Sequence, residues 1–196
     1  MSYVHLGLPE AIIEKAPKIR AIITDVDGVF SNGSLFFDAG KEELKQFHSR
    51  DGAIVPFLKK NSIIVGAISS RYSKTTENLL GGLNFDFHYH GVKNKVQKLR
   101  EVLEILEISW EEVLYIGDDL EDLPVFAEVG LSACPADAPV YIQEQAEYVC
   151  TKKGGEGSFR EIVDLILDAK GLLHKVIEDA KNEQTYSKPH KRPFQP

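Results

Sequence analysis

Two aspartates separated by one residue follow the first apolar run of the sequence. Residues 20–24 lead directly into Asp25 and Asp27, and Gly28 comes next. A carboxylate at the carboxyl end of a strand projects into the crevice where open α/β sheets bind ligands. Two neighbouring carboxylates repel one another and lose hydration on burial, so they require a cation or a shared proton. The alternative is that Asp27 and Gly28 form an ordinary turn.

A second group of acids follows another apolar run, residues 113–116. Asp118 stands at the end of that run, and Asp119 and Asp122 follow within four residues. Asp119 is placed to cap a following helix, and Asp122 would then lie in its first turn. Capping explains one acid but not three, so a shared ligand is the better interpretation.

A bound metal ion would offset the repulsion between these acids. Because adjacent parallel strands bring their carboxyl ends to one edge of the sheet, Asp25, Asp27 and Asp118 are expected to share one ion. Oxygen ligands suit a hard cation such as Mg²⁺, which is therefore the predicted cofactor.

Two further groups suit a phosphate. Ser69 ends the apolar run 63–69, and Lys95 lies near the start of a helical pattern over residues 93–106. Hydroxyls, ammonium groups and helix N-termini are common phosphate ligands. A lysine at the start of a helix opposes the helix dipole, which indicates a local anion. A solvated surface lysine is the simpler alternative for Lys95.

Together these residues predict phosphoryl transfer. An attacking carboxylate forms an aspartyl-phosphate and divides one difficult substitution into two steps. Asp25 is the expected nucleophile because it ends the rigid strand, and Asp27 is the expected general acid and then general base. Ser69 and Lys95 are expected to hold the non-bridging oxygens, while Mg²⁺ reduces the repulsion between nucleophile and phosphate.

The elements that must position these groups alternate along the chain. Short apolar runs alternate with helical patterns, which predicts an α/β, Rossmann-like fold with a mostly parallel sheet and helices on both faces. The predicted strands are residues 20–25, 63–69, 85–88, 113–116, 131–133 and 148–149. The predicted helices are residues 52–60, 74–80, 93–106, 119–129, 138–144 and 159–169.

A predicted β-hairpin at about residues 32–48 interrupts the alternation, with its turn at residues 38–41. An exposed two-stranded hairpin is marginally stable by itself. Its aromatic side chains, Phe36, Phe37 and Phe47, therefore require a partner, which in so small a protein is expected to be another subunit.

Composition and charge limit the partners and the cellular location that we expect for this protein. No apolar run is long enough for a spanning helix, and the first ten residues lack the features of a secretory signal, so we expect a cytoplasmic protein without a membrane partner. The net charge of −7, without a basic stripe, predicts no nucleic-acid partner. We divide the chain into an N-terminal extension at 1–19, a main domain at 20–171, and a C-terminal helix with a basic tail at 172–196.

Four motifs of the sequence resemble those of the haloacid dehalogenase superfamily of phosphatases. They are D-V-D-G-V beginning at Asp25, the strand-end Ser69, Lys95, and G-D-D-L-E-D beginning at Gly117. The match spans roughly residues 20–171. The resemblance implies a function for each matching residue: Asp25 as nucleophile, Asp27 as general acid and base, Ser69 and Lys95 as phosphate ligands, Asp118 and the Asp27 backbone carbonyl as Mg²⁺ ligands beside Asp25, and Asp119 or Asp122 as supporting groups.

The short stretch between Asp27 and Ser69 holds a hairpin and one helix in place of a cap domain. This arrangement is similar to the capless branch of the superfamily, which contains tetrameric phosphatases of eight-carbon 2-keto sugar acid 8-phosphates. The resemblance implies a phosphorylated sugar acid as substrate, a homotetramer, and participation in lipopolysaccharide precursor synthesis. It also implies a set of substrate-binding residues: Arg50, Ser70, Arg71, Asn94 and Arg160.

Several alternatives stay open. A nine-carbon sugar acid 9-phosphate is the competing substrate, although Arg71 is more typical of the eight-carbon enzymes. A catalytically silent scaffold would keep the fold but lose an acid or Lys95, and a receiver-like phospho-switch would lack the general acid at Asp27. The glycine-rich run at residues 154–157 is either a flexible loop or a place where the backbone of a neighbouring subunit approaches the substrate.

Overall fold

A computed structural model describes residues 9–40 and 43–182. Its strands are β1 (Ala21–Thr24), β2 (Phe36–Phe37), β3 (Glu43–Leu44), β4 (Ile64–Ser69), β5 (Phe87–His90), β6 (Val113–Ile116), β7 (Leu131–Cys134) and β8 (Tyr148–Val149). Its α-helices are α1 (Glu10–Lys15), α2 (Ser49–Ala53), α3 (Val55–Lys60), α4 (Lys74–Gly82), α5 (Lys95–Leu106), α6 (Leu123–Phe126), α7 (Val140–Gln143), α8 (Ser158–Ala169) and α9 (Leu173–Asn182).

Six strands form one sheet in the order β5-β4-β1-β6-β7-β8, and every neighbouring pair is parallel. The register places Thr24, the last residue of β1, opposite Ala67 of β4 and Ile116 of β6. The carboxyl ends of the three central strands therefore meet at one edge, which we call the carboxyl edge. The predicted α/β fold is confirmed.

The sheet separates two hydrophobic cores. Ile22 of β1 packs in one core with Leu114, whereas the next residue, Ile23, packs in the other with Tyr115. Successive side chains of a strand point to opposite faces, so each central strand must be apolar at almost every position. Helices cover both faces and hold the carboxyl edge in place.

Prolines divide two of the predicted helices. The predicted helix 52–60 is interrupted between α2 and α3, and 119–129 contains a 3-10 turn, Leu120–Asp122, followed by α6. Pro56 and Pro124 each lie in the first turn of the second helix. Proline lacks an N–H and is accommodated there but not in a helix interior.

The segments that flank the predicted main domain contribute to the same core. Ile12 of α1 is fully buried, and Leu173 and Val176 of α9 are buried in the same hydrophobic cluster. The division at residues 19 and 171 stays a prediction. The remainder of the predicted basic tail, residues 183–196, lies outside the described residues, as do residues 1–8 and the hairpin positions 41–42.

The hairpin consists of β2 and β3, with Phe36 opposite Leu44. Phe36 and Phe37 are 57% and 58% exposed. Phe47 differs from the expectation for the hairpin, since it packs against the core beside Phe30, with ring centroids 6.5 Å apart. It therefore belongs to the chain's own interior.

None of the helices in the described part of the chain combines the length and the apolarity that crossing a membrane requires.

Adjacent isoleucines in α1 provide a matched test of the N-terminal segment. Ile12 is completely buried, whereas Ile13 is 55% exposed. Ile12→Ala is expected to lower the free energy of unfolding by about 2–5 kcal/mol, because it removes buried methyl groups and leaves a cavity. Ile13→Ala should change it by less than about 0.5 kcal/mol. Urea denaturation measures both, and equal effects would contradict the packing of α1 described above.

Candidate active site

The strand β1 delivers Asp25 to the carboxyl edge. The Asp25 N–H donates to the carbonyl of Ile116 at 2.8 Å, so sheet pairing continues through this residue. Its side chain is buried; Oδ1 accepts from the Val26 N–H at 2.6 Å, and Oδ2 lies 3.1 Å from Lys95 Nζ. Burial, followed by repulsion from Asp122, raises the pKa of Asp25 to about 7.

Lys95 is the first residue of α5, and the side chain of Asn94 caps that helix. Its Nζ lies 2.7 Å from Asp122, 3.0 Å from Glu121 and 3.1 Å from Asp25. Burial alone would lower the pKa of Lys95, but Asp25 and Asp122 raise it above its ordinary value. The position of Lys95 at a helix start predicts an anion nearby. In this structure the carboxylates of Asp25, Glu121 and Asp122 supply that negative charge.

Asp122 organises the loop after β6. Its Oδ1 accepts from Lys95 Nζ and from the Tyr115 hydroxyl, both at 2.7 Å. Its Oδ2 accepts from the backbone N–H groups of Asp118 at 2.9 Å and Asp119 at 3.2 Å. Four donors occupy a fully buried carboxylate, so Asp122 acts by fixing the loop and Lys95.

Asp118 follows β6 and points toward the first loop. Its Oδ1 is buried and has no hydrogen-bond partner among the described residues. A Cβ at position 28 would lie 2.0 Å from Asp118 Oδ2, so only glycine leaves room for this carboxylate. Burial, with repulsion from Asp25 next, raises the pKa of Asp118 to about 8.

These acids fit a hard cation. Asp25, Asp118 and Asp122 each bring a carboxylate oxygen within 4.8 Å of the others. The four donors on Asp122 leave Asp25 and Asp118 as the better side-chain ligands, and the unpartnered Oδ1 of Asp118 has the chemistry such an ion requires. Raised pKa values of both acids indicate the same shortage of positive charge.

Asp27 is turned toward the hairpin rather than toward Asp118. Its Oδ1 and Oδ2 accept from Lys45 Nζ at 2.7 and 2.8 Å, and Ser31 donates to Oδ1 at 3.0 Å. The Asp27 side chain is consequently engaged elsewhere, which leaves its backbone carbonyl as the group that the resemblance assigns to the metal. That assignment stays a prediction.

A cavity of about 410 Å³ opens at the carboxyl edge. It is lined by ten residues: Asp25, Asp27, Gly33, Leu35, Ser69, Ser70, Arg71, Asp118, Asp119 and Glu121. Ser69 is buried, and its hydroxyl interacts with the backbone of Arg71. The cavity thus brings a buried carboxylate, a hydroxyl and a guanidinium to one small volume that admits a ligand.

Three of the predicted substrate-binding residues lie elsewhere in this chain. Arg50 and Arg160 line a separate cleft of about 290 Å³, where Arg160 Nε donates to Asp164 at 2.8 Å. Asn94 caps α5 through a hydrogen bond from the Gln97 N–H at 3.0 Å. Substrate binding by these three residues stays a prediction, since the cavity described above does not include them.

The glycine-rich run, residues 154–157, packs against the first loop of its own chain. A Cβ at Gly154 would lie 1.7 Å from the Gly28 carbonyl oxygen, and the Gly155 N–H donates to the Val29 carbonyl at 2.9 Å. Within this chain the run therefore lies against the backbone of its own first loop. Approach of a neighbouring subunit's backbone to the substrate at this run stays a prediction.

Residue patterns alone missed Glu43, Lys45 and Glu121. Glu121 lies beside Lys95 and lines the cavity, within the acidic run after β6. Glu43 and Lys45 alternate with Leu44 in the hairpin, and it is the charged positions that face the protein. The sequence shows this alternation but not its direction, because a hairpin on a protein surface ordinarily turns its apolar face inward. Only the structure shows that the charged side chains face the site.

Comparison with known proteins agrees with this geometry. The family described as haloacid dehalogenase-like hydrolase matches residues 84–162. The 3-deoxy-D-manno-octulosonate 8-phosphate phosphatase of Yersinia pestis is 42% identical over 162 residues, covering 83% of this chain and 87% of that protein. The crystal structure of the Yersinia pestis enzyme has a TM-score of 0.83 at 41% identity, covering 85% and 90% of the two chains.

A second similar protein is the corresponding phosphatase of Moraxella catarrhalis, whose crystal structure contains a magnesium ion, a phosphate ion and a KDO molecule. It has a TM-score of 0.83 at 30% identity and covers 86% of this chain and 97% of that one. Identity at this level over most of both chains is decisive for family membership. The chain belongs to the haloacid dehalogenase-like hydrolases, in the family of the 3-deoxy-D-manno-octulosonate 8-phosphate phosphatases.

Proposed function

We propose that this chain is a Mg²⁺-dependent phosphatase that hydrolyses 3-deoxy-D-manno-octulosonate 8-phosphate to the free sugar acid and phosphate, in lipopolysaccharide precursor synthesis. The observation that carries the proposal is the buried Asp25 carboxylate, which faces Lys95 at 3.1 Å and opens into the cavity that Ser69 lines. Relatives about 40% identical to the chain carry the name of this activity.

In the first step, a carboxylate oxygen of Asp25 attacks phosphorus, and the bond from phosphorus to the sugar oxygen breaks. Asp27 donates its proton to that oxygen, so the sugar leaves as an alcohol and the enzyme holds an aspartyl-phosphate. Lys95 and the Ser69 hydroxyl hold the non-bridging oxygens of the phosphoryl group as charge moves onto them.

In the second step, Asp27 accepts a proton from water, whose oxygen attacks the phosphoryl group of the intermediate. The bond from phosphorus to Asp25 breaks, which restores the Asp25 carboxylate and leaves the proton on Asp27. Asp25, Asp118 and the Asp27 carbonyl would hold Mg²⁺, which when bound offsets the repulsion between the nucleophile and the phosphate. Asp122 keeps Lys95 and the Asp118 loop in position throughout.

Substrate choice is the first test of this proposal. The chain is expected to release phosphate from the eight-carbon acid 8-phosphate with a higher kcat/KM than from a nine-carbon 2-keto acid 9-phosphate. The reason is that Arg71, which is more typical of the eight-carbon enzymes, lines the cavity. Side-by-side steady-state kinetics measure the ratio. A higher value for the nine-carbon substrate would assign the alternative activity, and no phosphate release from either would favour a silent scaffold.

The nucleophile is tested in the same assay. Asp25→Asn is expected to lower kcat by at least about 10³-fold, because the amide cannot form the covalent intermediate. Asp86→Asn is the matched control, since Asp86 precedes β5 at the opposite edge of the sheet and pairs with Lys59. Substantial turnover by folded Asp25→Asn protein would reject the assignment.

Metal binding is expected to depend on pH. The folded-state pKa values of Asp25 and Asp118, about 7 and about 8, exceed the ordinary value of 3.8. Their protonated forms therefore stabilise the metal-free protein below about pH 4, and this contribution is lost as pH rises through about 7 to 8. Mg²⁺ competes with these protons, so it should raise Tm more at about pH 8 than at about pH 5.5.

Thermal unfolding in EDTA and in Mg²⁺ measures this difference. Asp118→Asn is expected to abolish most of the Mg²⁺ effect on Tm, whereas Asp86→Asn should retain it. The same chelation should stop phosphate release, and added Mg²⁺ should restore it. A Mg²⁺ effect of equal size at both pH values would argue against Asp25 and Asp118 as the ligands.

For the assembly, we propose a homotetramer in which the hairpins of neighbouring subunits pack together. Leu35, Phe36, Phe37 and Leu44 expose 39%, 57%, 58% and 57% of their surface on one small hairpin. An exposed apolar cluster of this kind is typical of a protein interface. Phe47 takes no part in this surface because it packs inside its own chain.

Light scattering on the full chain should give a mass near four times 21.9 kDa. Replacing Phe36 and Phe37 together by Ser is expected to produce smaller species with reduced activity, since the apolar contact area is lost. Ile105→Ser, on a side chain that is 79% exposed on α5, is the control and should not change the mass. A monomeric wild-type protein would contradict the proposed assembly.

A further inference from the structure

Lys45 is a buried cation at the base of the hairpin. Its side chain is 1% exposed, although lysine is among the residue types least often buried. It follows β3 directly, and its Nζ contacts Asp27, which lines the active-site cavity. An ammonium group taken out of water this completely must be compensated by its neighbours.

That compensation is centred on Asp27. Nζ of Lys45 lies 2.7 Å from Asp27 Oδ1 and 2.8 Å from Oδ2, while Glu43 Oε1 and Thr76 Oγ1 lie farther away at 3.1 and 3.3 Å. Ser31 adds a third hydrogen bond to the carboxylate, at Oδ1. The contacts of Lys45 therefore hold both oxygens of the proposed general acid and base.

We propose that Lys45 is a positioning residue for Asp27, holding its carboxyl group at the cavity wall so that the proton moves to and from Oδ2. This inference rests on the proposed function. Oδ1 already accepts from Lys45 and Ser31, whereas Oδ2 accepts from Lys45 alone and has the free lone pair that carries the proton. Lys45 itself does not touch the reacting atoms.

The hairpin thereby connects the acid-base group to the substrate pocket. Glu43 of β3 pairs with Lys45 on one side and accepts from Arg71 at 2.8 Å on the other. Arg71 lines the cavity and follows Ser69 at the end of β4. One strand of the hairpin thus anchors both the proton-transfer group and a candidate specificity residue.

The test uses two phosphate esters that differ in how much their leaving group needs a proton. A sugar 8-phosphate leaves as a strongly basic alkoxide, which must be protonated, whereas p-nitrophenyl phosphate leaves as a weakly basic phenolate. The parameter kcat/KM reports the steps up to departure of the leaving group. A misplaced general acid therefore lowers kcat/KM for the alkyl ester selectively.

Lys45→Met in the full chain is expected to lower kcat/KM for the sugar phosphate by about 10²-fold, and for p-nitrophenyl phosphate by less than about threefold. Lys170→Met is the matched control: that ammonium is held by the Pro17 and Ile19 carbonyls at 2.9 Å, and neither Lys170 nor these two partners line the active-site cavity. The control should leave the ratio of the two kcat/KM values unchanged. An equal fall for both esters in Lys45→Met would overturn the proposal.

A double-mutant cycle tests whether Lys45 acts through Asp27. In an Asp27→Asn background, Lys45→Met is expected to cause no further loss of kcat/KM for the sugar phosphate, because the group it positions is already removed. Additive losses would contradict the proposal. This background also avoids leaving an unpaired Asp27 charge, so it remains informative where Lys45→Met alone does not fold.

Lys45→Arg provides a second variant of preserved charge. Its planar guanidinium can contact both carboxylate oxygens through two N–H donors, so the ratio of the two kcat/KM values should stay above that of Lys45→Met. A ratio no higher than that of Lys45→Met would contradict positioning through these two oxygens. Any alkyl phosphate that the wild-type protein hydrolyses can replace the sugar phosphate, so a wrong substrate would be recognised separately from a wrong function for Lys45.

Discussion

Negative charge removed from water is the constraint on which the site depends. Asp25, Asp118 and Asp122 bring carboxylate oxygens within 4.8 Å of one another; Asp25 and Asp122 are buried, and Asp118 is partly buried. Asp122 is compensated by four donors, and Lys95 compensates part of Asp25. The negative charges of Asp25 and Asp118 are not fully compensated by nearby donors, and the pKa values of both acids are raised for that reason. A divalent cation would offset this negative charge, and a phosphate would be accommodated better with that cation than without it.

The two faces of the hairpin lie in different environments. Glu43, Lys45 and Phe47 are partly buried and face the site and the core, while Leu44 between them faces outward. This arrangement places apolar side chains on the surface and charges inside, which is unfavourable for an isolated chain. It becomes reasonable when the outer face is covered by another subunit and the inner charges position catalytic groups. The two proposals for the hairpin are therefore physically connected.

Much of this site could be predicted from the sequence because it depends on connectivity. Asp25, Ser69 and Asp118 each follow an apolar run, and parallel strands necessarily bring their carboxyl ends to the same edge. The first-loop glycine was recognised as turn chemistry, but its contact with Asp118 was not visible. Gly28 is required because a Cβ there would lie 2.0 Å from Asp118 Oδ2, a clash between residues distant in the sequence.

The sequence by itself determined the α/β fold, the edge at which chemistry occurs, and the acids, hydroxyl and lysine that meet there. Only the tertiary structure decided which oxygens are free: Asp122 is occupied by donors, Asp27 is held by Lys45, and Asp118 keeps an unpartnered atom. It also placed Arg50 and Arg160 in a different cleft. The physical reason is that the positions of the strands along the chain follow from local apolar patterns, whereas side-chain partners are chosen by packing among segments that no local pattern relates.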